Sequence, residues 1–310
     1  MKKLIAFALV LLLATSVLVG CGAPEEPAAQ EKDYALSVGV KVTDTLASSK
    51  VAQTVASIVT DKDGKIVVCR LDCIEYSAFD ADGNTVTAAP TSKVAQGEDY
   101  DPNNYMGKGD WYKQAAALEA YVVGKTKSEV AAIALTSGKV NDLASSCTIN
   151  VVDLLAAIDK AFDNEYKTAF KSKATAFTAG LVAQASVTVT EEDTIDAKFV
   201  VNYAAAVMAD GKVAAAILDC AEPTIVAADK DAGAESVTYA GTKLEQGEDY
   251  DKDNYMAQGD WYKQAAAYAK TAVGKTKDDI ATLAASGVAG CTIYAGGFKA
   301  AIEAAVKGAR

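Results

Sequence analysis

A long internal repeat is the feature of this sequence that says most about its fold. The nine residues Gly-Asp-Trp-Tyr-Lys-Gln-Ala-Ala-Ala begin at Gly109 and again at Gly259, 150 positions later. Each copy follows the segments Gln-Gly-Glu-Asp-Tyr-Asp and Asn-Tyr-Met, and each precedes Val-Gly-Lys-Thr-Lys. Solenoid repeats recur every 20–50 residues or so, so a repeat this long predicts two tandem globular domains.

The distance between matched residues varies along the repeat. It is 147 positions at Gly64 and Gly211, and 144 positions at Thr148 and Thr292. Small insertions and deletions therefore lie between matched elements, as loops allow. We predict a first domain over residues 36–162, a linking helix over 163–182 and a second domain over 183–310.

The periodicity of apolar residues predicts strands followed by helices. Residues 36–43 alternate apolar and polar side chains, and residues 51–60 and 65–74 flank an Asp-Gly pair that is typical of a tight hairpin turn. Residues 111–122 and 153–162 have the spacing of amphipathic helices. This order predicts an α+β fold with a mostly antiparallel sheet and packed helices in each copy.

Local signals mark the helix ends. Asp110 can cap the helix that begins at Trp111, and Gly124 can end it. Thr126 and Glu129 have the spacing of a capping box, which predicts that another short helix begins there.

The N-terminus has the pattern of a secretory signal. Lys2 and Lys3 precede an uncharged apolar run over residues 4–19, and Leu-Val-Gly-Cys ending at Cys21 resembles a bacterial lipobox. The alternative is a transmembrane anchor, for which the run is short. We therefore expect a lipoprotein signal peptide over 1–20, lipid attached to Cys21, a tether over 21–35 rich in Ala, Pro and Glu, and a location on the outer face of the cell membrane.

Charge and composition exclude several classes of function. The net charge is −11 and no basic cluster follows the first residues, which argues against nucleic acid as a partner. The chain contains no histidine, so it has no Ser-His-Asp triad and no imidazole metal site. No pattern of catalytic residues or metal ligands stands out, so an enzyme with its own substrate is less well supported than a carrier.

A seven-residue segment carries a family resemblance. Asp-Leu-Ala-Ser-Ser-Cys-Thr runs from Asp142 through Ser145 to Thr148. It resembles the flavinylation motif of the FMN-binding domain family, which has an Asp, two variable residues, a Ser or Thr, and an acceptor Thr after small residues. The family places alanine where Cys147 stands, and both residues are small. The resemblance implies that a flavin transferase joins FMN to the Thr148 hydroxyl by a phosphodiester.

The second copy departs further from this motif. Its segment runs from Ser286 to Thr292, with serine at the acidic position and Ala289 in place of the Ser or Thr. Thr292 is therefore the weaker of the two acceptor candidates. For both threonines the alternative is a structural role, in which the hydroxyl bonds local backbone at a turn before a helix.

The order of signal peptide, lipobox, tether and two repeated domains is similar to that of tandem FMN-binding-domain lipoproteins of Gram-positive bacteria. The resemblance implies a surface electron carrier with covalent FMN. Such a carrier takes electrons from a membrane donor and passes them to an extracellular acceptor. The alternative is a non-redox surface lipoprotein with degenerate domains that binds a ligand or a partner.

Besides Cys21, the chain has five cysteines, an odd number with no CxxC pair. That count favours buried free thiols over a disulfide framework. The other possibility is one matched disulfide per copy, Cys73 with Cys147 and Cys220 with Cys291.

Overall fold

The computed structural model describes residues 30–310, except 81, 102, 104–106, 108, 175, 192–193, 229–233, 252–259 and 294. Residues 31–310 cluster as one compact unit. Within the described residues the fold is a mixture of helices and antiparallel sheets, so the predicted α+β class is confirmed.

Among its described residues, the first copy has three long strands, two short ones and four α-helices. They are β1 (Lys32–Thr45), β2 (Lys50–Asp61), β3 (Ile66–Ser77), α1 (Lys93–Gln96), α2 (Trp111–Val122), α3 (Lys127–Ala131), β4 (Leu135–Thr136), β5 (Lys139–Val140) and α4 (Val152–Asp163). The predicted strands, hairpin and helices of this copy are all present. The Thr126 capping box also forms, since its side chain accepts from the Glu129 amide and Glu129 accepts from the Thr126 amide.

The second copy repeats this order with additions at the sheet edge. Its elements are β7 (Thr178–Glu191), β8 (Ile195–Ala209), β9 (Lys212–Ala221), β10 (Thr224–Ala227), β11 (Ala234–Thr238), α5 (Lys243–Gln246), α6 (Trp261–Lys270) and α7 (Gly296–Lys307). Between the copies, β6 (Thr168–Ser172) pairs with β1 at the edge of the first sheet. β7, β8 and β9 match β1, β2 and β3, and α5, α6 and α7 match α1, α2 and α4.

Each copy builds one large antiparallel sheet, and β4 and β5 of the first copy pair in a separate two-stranded sheet. The strand order is β3-β2-β1-β6 in the first and β11-β10-β8-β7 in the second, where β9 also pairs with β8. Helices α2 and α4 pack on one face of the first sheet, while α6 and α7 pack on one face of the second. The other faces of the two sheets meet, and the aromatic rings of Tyr76 and Phe199 stack there at 4.1 Å between centroids.

The predicted linking helix over residues 163–182 is wrong. α4 ends at Asp163, β6 then pairs with β1, and β7 begins at Thr178. The physical reason lies in the aromatic side chains. Tyr34 contacts Phe170 at 5.5 Å and Phe177 at 4.8 Å between ring centroids, and burial of this cluster favours an extended chain at the edge of β1. β1 also begins at Lys32, inside the predicted tether.

Glycine allows one helix in each copy to approach its sheet closely. A Cβ at Gly39 would overlap backbone atoms of Ala157 and Ala161 in α4, and a Cβ at Gly180 would overlap the backbone of Ala305 in α7. The missing side chains let α4 lie directly against β1 and α7 directly against β7.

Candidate functional site

The first acceptor candidate lies on a turn that a buried amide holds in place. Thr148 is half-buried, between a 3-10 turn at Asn141–Leu143 and helix α4. Its backbone N–H and its hydroxyl both donate to Gln114 Oε1, at 2.7 and 3.2 Å. Gln114 is fully buried in α2, and its Nε2 donates to the Gly109 carbonyl at 2.8 Å. α2 therefore positions the acceptor segment.

The second copy reproduces this arrangement. The N–H and the hydroxyl of Thr292 donate to Gln264 Oε1 at 2.8 and 3.1 Å, and the N–H of Ile293 donates to the same oxygen at 3.2 Å. Gln264 is fully buried, whereas Thr292 is exposed. Sequence reasoning missed both glutamines, although each lies inside the repeated segment Gly-Asp-Trp-Tyr-Lys-Gln-Ala-Ala-Ala.

The remaining motif residues lie on the same turn but face solvent. Asp142 is exposed, and its Oδ2 accepts from the Tyr121 hydroxyl at 2.6 Å. Ser145 is exposed as well. The turn thus gives solvent access to the segment around Thr148, as modification by another enzyme requires.

A buried lysine lies beside α2 in the first copy and beside α6 in the second. In the first, Lys93 pairs with Glu75 at 2.6 Å, and its ammonium lies 5.5 Å from the centre of the Trp111 ring. In the second, Lys243 pairs with Glu222 at 2.7 Å and lies 5.4 Å from the Trp261 ring. Each lysine charge is therefore compensated by a carboxylate and stacked on an aromatic ring.

A buried aspartate anchors the helix that carries each of these lysines. Asp72 Oδ1 accepts from the N–H groups of Cys73 and Val94, at 2.7 and 3.1 Å. Asp219 Oδ1 accepts from Cys220 and Leu244 at the same distances. Burial raises the pKa of Asp72 to about 6 and that of Asp219 to about 7, although these hydrogen bonds oppose the shift.

A cavity of about 550 Å³ opens in the second copy, next to the acceptor segment. Ile293, the neighbour of Thr292, is part of its wall. The other lining residues are Gln184, Ala185, Ser186, Val200, Asn202, Cys220, Lys243, Tyr250, Trp261, Gly297 and Phe298. The cavity therefore combines an aromatic wall with polar side chains, within the size range of small-molecule sites.

The five cysteines of the described region are free and buried. The structure thus has free thiols in place of the two possible disulfides. Burial raises the pKa of Cys73 to about 11 and that of Cys220 to about 12, so both thiols stay protonated at neutral pH.

Searches of protein-family models, curated proteins and solved structures found no match to this chain. Cys21 and the apolar N-terminal run lie outside the described residues. From residue 30 onward, no helix in the described part of the chain has the length and apolar character needed to span a bilayer.

Proposed function

We propose that this chain is a surface lipoprotein that carries covalent FMN and relays electrons outside the cell membrane. Lipid on Cys21 anchors it. A flavin transferase cleaves the pyrophosphate of FAD, joins the FMN phosphate to the hydroxyls of Thr148 and Thr292, and releases AMP. The observation that carries the proposal is the matched placement of the two threonines. Each follows a cysteine, precedes a long helix and donates to a fully buried glutamine.

Covalent attachment suits a protein that faces open medium, where a dissociable cofactor is diluted away. The flavin supplies the redox chemistry, and the residues of this chain supply position and surroundings. Gln114 and Gln264 orient the acceptor turns, and the aromatic wall beside Ile293 offers a surface on which a flavin ring can stack. Membrane donor and extracellular acceptor are the partners of such a carrier.

The test is attachment of flavin to variants of the full-length chain that are co-expressed with a flavin transferase. Thr148→Ala should remove the flavin of the first copy and Thr292→Ala that of the second, and the double variant should carry none. Thr136→Ala, at an exposed threonine in β4, is the control and should keep the wild-type load.

Intact mass and in-gel flavin fluorescence after denaturation measure the load. Losing a turn hydroxyl costs about 1 kcal/mol of stability, so the variants should still fold. Wild-type protein without covalent flavin under these conditions would contradict the electron-carrier proposal.

A second candidate is a non-redox surface lipoprotein that binds a ligand or a partner. Two observations favour it. Both acceptor hydroxyls already donate to a glutamine, as a purely structural threonine would. The second copy also has Ser286 and Ala289 at motif positions. The same experiment separates the candidates, because this one predicts a folded protein without attached flavin.

A further inference from the structure

One place in the fold has different chemistry in the two copies. In the first copy the buried carboxylate of Glu119, on α2, pairs with Arg70 of β3 and with Arg310. The repeat offsets of 150 and 147 positions put Ala269 of α6 and Ile217 of β9 at the matching positions of the second copy. Two apolar side chains therefore replace the buried ion pair there.

A cavity of about 260 Å³ lies at this place in the second copy, between β9 and α6. We call it the β9–α6 cavity. Its floor is apolar and buried, since the residues that form it are each 4 % exposed or less. They are Ala216, Ile217, Leu218, Leu244 and Ala269. The space that charged side chains fill in the first copy is thus open and apolar in the second.

The wall of the β9–α6 cavity adds apolar surface. The rings of Tyr166 and Tyr262 contact each other there, with 4.5 Å between their centroids. The hydroxyl of Thr168 is also part of the wall, but it already donates to the Ala216 carbonyl at 3.2 Å. The inner part of a ligand therefore finds carbon surface and no free hydroxyl donor, which favours an alkyl chain.

The rim of the β9–α6 cavity carries positive charge. Two exposed lysines line it, and among the described residues no aspartate or glutamate does. Lys263 pairs with Asp260 at 2.5 Å. Lys167 has no acidic partner in the described part of the chain, and its Nζ donates to the Phe162 carbonyl at 2.7 Å. An anionic group at the rim would be attracted to the ammonium group of Lys167.

We propose that the β9–α6 cavity binds a small alkyl carboxylate, with its chain on the buried floor and its carboxylate beside Lys167. The size fits, because a cavity of about 150 Å³ holds a benzene molecule and this one is larger. Neither acceptor threonine nor its glutamine lines the cavity, so the inference goes beyond the proposed function and does not depend on flavin.

Octanoate is the probe, and isothermal titration of the full-length protein measures its binding. The wild type should bind it saturably. Ala266→Leu, at an exposed position of α6 that lines the cavity, should weaken binding on the order of tenfold or more, because the larger side chain takes up ligand space. Ala269→Leu fills the cavity from its floor and should act likewise. Ala120→Leu, at an exposed position of α2, is the control and should bind as the wild type does.

A second comparison tests the charge at the rim. Octylammonium has the same alkyl chain as octanoate and the opposite charge, so it should bind the wild type more weakly than octanoate does. Lys167→Glu leaves the floor unaltered and should remove this preference. Thermal melts establish which variants are folded.

The inference is overturned if the wild type does not bind octanoate, if the folded filling variants bind it as the wild type does, or if octylammonium binds the wild type as tightly as octanoate. Its failure is distinct from failure of the electron-carrier proposal. Covalent flavin without octanoate binding contradicts only the β9–α6 site. Octanoate binding without covalent flavin contradicts only the carrier.

Discussion

At the scale of single residues, the buried carboxylates predict an unusual pH dependence. Burial raises the pKa of Asp219 to about 7 in the folded chain, well above the value of about 4 expected after unfolding. Between these values the folded chain binds more protons than the unfolded chain. The free energy of unfolding should therefore rise as the pH falls from about 7 to about 4, by at most about 4 kcal/mol from this residue.

Urea unfolding at pH 5 and pH 8 measures this effect. Asp219→Asn keeps an acceptor oxygen for the N–H groups of Cys220 and Leu244, and it should lose the Asp219 part of the dependence. The smaller part that remains comes from Asp72, since burial raises its pKa to about 6. Asp44→Asn, at an exposed position, should keep it. Equal pH dependence in wild type and Asp219→Asn would show that Asp219 does not titrate in this window.

Sequence alone could predict the motif residues better than the side chains that hydrogen-bond to them. Thr148 and Thr292 could be predicted as acceptor candidates because a short motif is local along the chain. Gln114 and Gln264 accept hydrogen bonds from these threonines but lie 34 and 28 residues away along the chain. The contacts form only because the fold places α2 and α6 beside the two turns. The cavity beside Ile293 could not be predicted from the sequence either, because it depends on Gly297 of α7 lying beside Asn202 of β8 in the folded chain.

At the scale of elements, close helix–strand packing depends on Gly39. Gly39→Ala places a methyl group against the backbone of Ala157 and Ala161, so α4 must move away from β1. Overpacking of this kind costs about 1–3 kcal/mol, and backbone atoms yield less readily than side chains. The midpoint of thermal unfolding should fall clearly.

Gly297→Ala is the matched control for this change. Its Cβ would meet only the side-chain amide of Asn202, and alanine favours a helix more than glycine does. Its unfolding midpoint should stay close to that of the wild type. An unchanged midpoint for Gly39→Ala would mean that α4 does not rest on β1 as closely as described.

The helices and strands also show where the periodicity of apolar residues does not predict secondary structure. The three long strands and the helices α2, α3 and α4 were predictable from their apolar patterns and end signals, whereas the short elements α1, β4 and β5 were not predicted. Residues 168–172 lie within the predicted linking helix, and alanine and lysine do favour a helix. Pairing with β1 and burial against Tyr34 outweigh that preference, and both depend on residues more than a hundred positions away.

At the scale of the whole molecule, the two copies share a core. One cluster of buried residues runs from Leu36 and Val55 in the first sheet to Val201 and Leu218 in the second. A buried ion cluster adds to this. Glu119, 4 % exposed, pairs with Arg70 and Arg310 at 3.2 Å each, which joins α2 of the first copy to the end of the second. The repeat predicted two copies, but not that their sheets would face each other.

The shared core sets the expected behaviour of separated halves. If the chain is cut after Ala174, the first half keeps β6 but exposes Tyr76, Val55 and their neighbours, and the second exposes Phe199. Burying each large apolar side chain contributes about 1.5–3 kcal/mol. We therefore expect each half alone to be far less stable in urea than the intact chain, and the mixed halves to associate and regain much of that stability.

Tyr76→Ala in the first half should weaken this association, because it removes the ring that stacks on Phe199, whereas Thr136→Ala should leave it unchanged. Calorimetric titration of one half with the other measures the association. A first half that is as stable alone as it is within the whole chain would show that the repeat encodes two independent domains and that the shared interface contributes little.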